Sequence, residues 1–150
     1  MKTIFDESTR NELIGRINLL DANSTARWGK MNIYQMLKHC SLFDEWVLGI
    51  HSPTYKQVFI GRLFGKIALK DFIGNDKPVK RNVGTLSFLK VTQADGDVAL
   101  EKLKWVGLTK DYDNFSNPAF IHPFFGKLTR EQIGYLVYKH TDHHLRQFGV

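Results

Sequence analysis

Cysteine is nearly absent from this chain: Cys40 is the only one in 150 residues. A single thiol excludes an internal disulfide framework, and the compartment expected is a reducing cytoplasm. Long apolar runs are missing too. No stretch reaches the ~18 uninterrupted apolar residues of a membrane span. The opening residues, Met1 to Asp6, contain no apolar signal region. No pair of carboxylates placed for acid/base work can be read from the sequence, and neither can a Ser/His/Asp arrangement. Acidic residues are outnumbered 15 to 21, for a net charge of +6. The surplus is scattered, and its densest run, Lys77, Lys80 and Arg81, falls in a loop, as a solvated loop does. The partner expected is therefore a small molecule, with no nucleic acid and no membrane. No internal repeat or low-complexity tract interrupts the chain.

What is present suits one globular domain over residues 1–150, with 43% hydrophobic and 24% charged residues. The pattern predicts helices. Asp6 to Leu20 is amphipathic, with Thr9 and Glu12 spaced as a capping box. Asn32 suits the N-cap of a second helix reaching about Gly49. Its buried stripe is Met36, His39, Cys40, Phe43, Trp46, Val47 and Ile50. A third helical stretch runs from Lys56 to Phe72, with Val58, Phe59, Leu63, Phe64, Ile67 and Ala68 as its apolar residues. Asn75 to Thr85 is loop, and Leu86 to Val91 is a short extended piece or a helical turn. A further helix begins at Asp95 or Asp97 and reaches about Tyr112. Its inward positions are Leu100, Leu103, Lys104 and Leu108, and Glu101, Lys102 and Lys104 mark a solvated side. His122, before a proline, is expected to be extended. Thr129 and Gln132 form a capping box that opens a last helix, and Gly149 suits its end.

That last helix carries the chemical signal. On a wheel of ~100° per residue, His140, His144 and Gln147 fall within about 60° of Ile133, on the face of Leu136, Val137 and Phe148. An apolar stripe ending in two imidazoles one turn apart needs polar partners, because burying unpaired polar groups is unfavourable. Histidines at i and i+4 can hold one divalent ion. They can equally be core histidines satisfied by neighbouring groups. His143 lies about 100° away from His144 and at the edge of the stripe. His39 sits on the buried side of the second helix. Long amphipathic helices with long crossovers indicate a helix bundle, and a bundle builds metal sites from facing helices. His39 can then meet His140 and His144. Gln147 is a candidate to support a ligand imidazole, against an amide bonded to solvent. Asp44, one turn beyond Cys40, is a second candidate for such support, against a surface carboxylate, and Cys40 reads as a small buried residue pointing about 100° away from His39. Trp28, Phe124 and Phe125 are candidates to wall a pocket or to pack the core. His51, His122 and His143 receive no role.

Three blocks then carry a resemblance: Arg27 to Met31 leading to His39; His122 to Thr129; and His140 to Gly149. Together they resemble an uncharacterised family within the DinB/YfiT-like putative metalloenzymes, across nearly the whole chain. Those proteins end on His-x-x-x-His-Arg-Gly-Gln, and His140, His144 and Gln147 keep these offsets, with Leu145 and Arg146 in place of Arg-Gly. The resemblance implies an all-α four-helix bundle in up-down-down-up order, here with an extra helical or loop insertion between the second and third bundle helices, and often a homodimer. It also implies a three-histidine metal site, which maps to His39, His140 and His144. Its members include thiol-dependent enzymes using mycothiol or bacillithiol in isomerisation or S-transfer.

Three imidazoles leave a fourth position open, as in catalytic sites. Zinc is the default ion, and nickel or iron also accept imidazole. A low-molecular-weight thiol is the accompanying cofactor where the chemistry is S-transfer. The function expected is a metal-dependent transferase or hydrolase acting on a small molecule. The alternative is a metal-stabilised bundle that binds a small molecule or protein partner without chemistry.

Overall fold

A computed structural model describes residues 1–50 and 55–150. His51, for which the sequence suggested no role, lies outside the described residues. Among them the chain is mostly helical, with five α-helices: α1 (Glu7–Asn18), α2 (Ile33–Leu48), α3 (Phe59–Ile73), α4 (Val98–Asp111) and α5 (Arg130–Gln147). A 3-10 turn at Ser87–Leu89 interrupts the long α3–α4 crossover. Two short antiparallel strands, β1 (Ile121–His122) and β2 (Gly126–Lys127), pair ahead of α5.

Local sequence fixes most of the helix starts. Asn32 accepts from the Gln35 backbone N–H while the Gln35 side chain reaches back to Asn32, which closes a reciprocal cap on α2. Thr129 and Gln132 do the same for α5. Asp97 caps α4 through the Leu100 N–H at 2.9 Å. The expected Thr9–Glu12 box does not form. Asp6 already occupies the extended N-cap position of α1, so Thr9 lies inside the first turn and is buried. Glu12 pairs with Lys2 and Arg16 instead.

Four helices pack as a closed ring: α2 on α4, α4 on α1, α1 on α5, and α5 back on α2. Leu13, Ile17, Met36, Leu37, Val47, Trp105, Tyr112, Val137 and Leu145 fill its centre. The phase of α4 differs from the sequence expectation. Leu100 and Leu103 face solvent, and Trp105, Leu108, Thr109 and Glu101 face inward. The reason is a buried polar anchor that periodicity does not show. Asp44 of α2 is not a surface carboxylate. It accepts from the Trp105 indole N–H at 2.9 Å and from the Tyr112 hydroxyl at 2.8 Å. Burial raises its pKa to about 7, and these two hydrogen bonds only partly oppose the rise.

Helix α3 stands outside the ring, against α5 and β2. Its inner face is not the apolar set suggested by the sequence. Gly61 and Gly65 face inward, and a Cβ on either would lie 2.4 Å or 2.0 Å from the Phe124 carbonyl oxygen. Only glycine permits this approach of helix to loop backbone. Phe59, Ile60, Leu63, Phe64 and Ile67 consequently point outward. No helix among the described residues is long and apolar enough to cross a membrane.

Candidate metal centre

The adjacency of α2 and α5 brings His39, His140 and His144 together, with one ring nitrogen from each within 4.8 Å of the others. His39 and His144 are buried, at 3% and 6% exposure, and His140 retains partial exposure. The Nε2 atoms of His39 and His140 are 3.1 Å apart. Two imidazole nitrogens on one tetrahedral zinc lie about 3.3 Å apart, from bond lengths of ~2.0–2.1 Å.

Hydrogen bonds set the direction in which two of the three rings present a lone pair. His39 Nδ1 lies 2.9 Å from the Leu89 carbonyl oxygen in the 3-10 turn. A carbonyl only accepts, so Nδ1 carries the proton and Nε2 is left with its lone pair. His144 Nδ1 is 2.9 Å from Gln147 Oε1. The Gln147 amide is itself oriented, because its Nε2 donates to the Trp28 carbonyl at 2.8 Å. His144 therefore also donates from Nδ1 and keeps Nε2 free. This pattern, with one ring nitrogen tied to a carbonyl or amide oxygen and the other left with its lone pair, is the one that metal-ligating histidines adopt. His140 stacks on Phe43 at 3.7 Å between ring centroids, with the planes 16° apart.

The electrostatics agree with that donor set. Burial lowers the pKa of His39, against an opposing hydrogen bond to Leu89. Burial first, and then the nearby His39, brings His144 down to about 3. Burial lowers His140 well below the usual imidazole range, and its neighbours His144 and His39 push in the same direction. All three rings are neutral at pH 7, the form in which histidine binds a divalent ion. The residues present fit such an ion.

The remaining sequence candidates take other positions. Gln147 is not a solvated amide: it is 4% exposed and joins His144 to the loop before α2. Gly29, with φ at +85°, lets that loop close over Gln147, since a Cβ there would meet its Nε2 at 2.5 Å. His143 does not share the direction of His144. It is half-buried, and its ring meets Trp28 edge-on at 5.9 Å. Cys40 is buried beside Met36, and burial raises its thiol pKa well above the usual value. Phe125 stacks on His122, and Phe124 packs edge-on against Phe125. Phe43 and Trp28 were placed by the sequence on the buried stripe and as a candidate wall, but the stacking of Phe43 on His140 and the carbonyl contacts of Leu89 and Trp28 were not read from it. Phe43 lies one turn beyond His39, so its ring was accessible to the wheel. The roles of Leu89 and Trp28 are backbone carbonyls and leave no trace in residue type.

Removing the amide of Gln147 is expected to weaken metal affinity about 10–100-fold, the usual effect of losing a partner of a ligand imidazole. Gln147→Glu keeps an acceptor for Nδ1 but loses the N–H given to the Trp28 carbonyl, so its affinity should fall between those of the parent and Gln147→Ala. Competition titration against a chromophoric chelator distinguishes the two variants.

His122 gives a separate expectation. Its Nδ1 accepts from the backbone N–H groups of Phe124 and Phe125, each at 3.1 Å. Burial lowers its pKa from 6.5 to about 4. The folded state thus resists a proton that the unfolded chain accepts. The stability this residue contributes is complete above pH 6.5 and is lost as pH falls through about 4. The loss from this residue alone is about 2–4 kcal/mol, from ~1.4 kcal/mol per unit. His122→Asn keeps an acceptor for the two N–H groups and cannot titrate. Urea melts at several pH values should show a flatter acid limb for the variant.

A helical protein with three neutral imidazoles converging from two packed helices belongs, by fold and site, among chains able to hold one divalent ion. A family profile described as "Protein of unknown function (DUF1569)" matches residues 5–149, and the chain belongs to that family. No curated protein matches, and no solved structure does.

Proposed function

We propose that this protein is a metal-dependent enzyme of the DinB-like kind, a four-helix bundle of α1, α2, α4 and α5 with α3 and its following loop inserted between the second and third bundle helices. His39, His140 and His144 hold a divalent ion, zinc by default, and one coordination position stays open to a thiol or water. The observation that carries this reading is the pair of tied Nδ1 atoms. Leu89 and Gln147 take the Nδ1 protons of two rings and leave each Nε2 with its lone pair, that of His39 lying 3.1 Å from His140 Nε2. When bound, such an ion supplies Lewis acidity and lowers the pKa of the water or thiol that meets it. The chain supplies orientation through Leu89 and Gln147, a stacked wall in Phe43, and exclusion of water by burying His39 and His144. The partly exposed His140 marks the side from which a small substrate approaches. The reaction class is thiol transfer or hydrolysis.

A second reading has its own support. His39 and His144 are buried, at 3% and 6% exposure. A closed ion that only braces α2 against α5 would fit that burial.

Metal analysis of protein purified without an affinity tag should find about one ion per chain, matching one three-ligand site. Cobalt-substituted protein should then develop a sulfur-to-metal charge-transfer band when a low-molecular-weight thiol is added. Turnover of an electrophile with that thiol should vanish in His39→Ala. A cobalt spectrum indifferent to thiols and small anions rejects the enzyme in favour of the bracing ion. Protein that takes up no divalent ion rejects both.

A further inference from the structure

Helix α3 turns a contiguous apolar face to solvent. Phe59, Ile60, Leu63, Phe64 and Ile67 are 54% to 75% exposed. The orientation is fixed, because Gly61 and Gly65 are seated against the Phe124 backbone, and Leu69 and Ile73 are buried. Rotating the face inward would lose that seat. Contiguous apolar patches on a protein surface mark interaction sites.

The charge around the patch selects the partner. Lys56 and, on α3, Arg62, Lys66 and Lys70 are all exposed, against a single exposed acid on the helix, Asp71. On the helical wheel Lys66 and Lys70 fall within about 60° of Leu63, and Arg62 borders them. Beside this edge is a cavity of about 450 Å³ with Lys66, Lys70 and Lys127 in its wall, together with Phe125 and Thr129. None of these three lysines forms an ion pair among the described residues.

We propose that the outer face of α3 and the lysine cavity together dock on a membrane leaflet containing anionic phospholipid. The apolar side chains enter the boundary between headgroups and acyl chains, and Arg62, Lys66, Lys70 and Lys127 meet lipid phosphates. A basic amphipathic helix with aromatic residues on its apolar side lies in the interface in this way. The net charge of +6 favours the same surface. A second copy of this chain is the poorer occupant, since pairing α3 with α3 gathers Lys56, Arg62, Lys66 and Lys70 from both copies around a desolvated patch with one acid from each, Asp71, to set against them. The expectation of no membrane partner rested on the missing span, and a helix that lies on a bilayer needs none.

Vesicle flotation tests the proposal. The full chain should bind phosphatidylcholine vesicles containing about a third phosphatidylglycerol, and bind vesicles of phosphatidylcholine alone at least about tenfold more weakly. Raising salt should weaken the binding. The double variants Leu63→Gln/Ile67→Gln and Lys66→Gln/Lys70→Gln alter exposed positions, so circular dichroism should show unchanged folding. Each should lose about tenfold or more in partitioning. Failure to bind anionic vesicles overturns the proposal, and so does either variant binding like the parent. Light scattering that finds a dimer which Leu63→Gln/Ile67→Gln dissociates assigns the face to a second copy and overturns it as well.

Discussion

Replacing His144 with alanine is expected to strip the protein of metal, whereas His143→Ala should leave its metal content unchanged. The two residues are neighbours in sequence, so composition and net charge change alike in both variants. Only direction separates them. The His144 ring faces His39 at 4.8 Å between centroids, and the His143 ring faces Trp28. Loss of one imidazole from three should weaken binding by more than the ~10–100-fold that follows loss of a supporting partner. Metal analysis of the two purified variants, with thermal melts before and after chelation, reads the difference. Chelation should lower the melting temperature of the parent and of His143→Ala, and leave that of His144→Ala unmoved. A metal-free His143→Ala would mean that the three converging rings are not the ligands.

The largest effect on stability is expected at Trp105. Its side chain is fully buried between α4 and α2, and its N–H is one of the two donors that hold Asp44. Trp105→Ala leaves a cavity and should cost about 3–5 kcal/mol. For a chain of this size that is a fall in melting temperature of roughly 10–15 °C. Trp105→Phe keeps most of the packing and removes only the donor, at about 1–3 kcal/mol. Its pH dependence has a definite sign. Asp44 has its pKa raised to about 7, so the folded state holds that proton more tightly than the unfolded chain. The stability linked to it is present below the unfolded value near 3.8 and is lost as pH rises through about 7. The indole donor favours the charged form, so its loss in Trp105→Phe should weigh more at pH 8 than at pH 5. Urea unfolding at the two pH values measures this. Equal penalties would show that the hydrogen bond does not discriminate between the charged and neutral carboxyl.

The parts of this structure that were legible in the sequence are those written in local periodicity. The caps at Asn32, Asp97 and Thr129 could be read from residue type and spacing, and so could the shared face of His140, His144 and Gln147. The burial of His39 followed from its stripe. Where the reading failed, a contact remote in sequence had overridden the local pattern. Asp44 recruits the Trp105 and Tyr112 donors from α4 and sets the phase of that helix, so Leu100 and Leu103 turn outward. Asp6 takes the N-cap of α1 ahead of Thr9. On α3 the apolar residues were recognised, but the face that packs is the glycine face, because close approach of backbone to backbone outweighs side-chain burial there. The carbonyls of Leu89 and Trp28, which govern the imidazole tautomers, belong to residues whose side chains carry no such information.

The placement of Trp28 gives the protein an optical reporter of its own. Trp105 is shut in the core, and Trp46 is buried against Phe43, the ring stacked on His140. Trp28 is only partly buried, lies beside His143, and has the Arg81 guanidinium 4.3 Å above its ring. Its indole N–H is enclosed without a hydrogen-bond partner among the described residues, while its carbonyl holds the Gln147 amide that orients His144. Any rearrangement of His144 that pulls on Gln147 therefore moves a fluorophore whose emission depends on that enclosure. Tryptophan fluorescence of the unlabelled chain is expected to change when a divalent ion is added, and a Trp28→Phe variant should lose the part of the change that comes from Trp28.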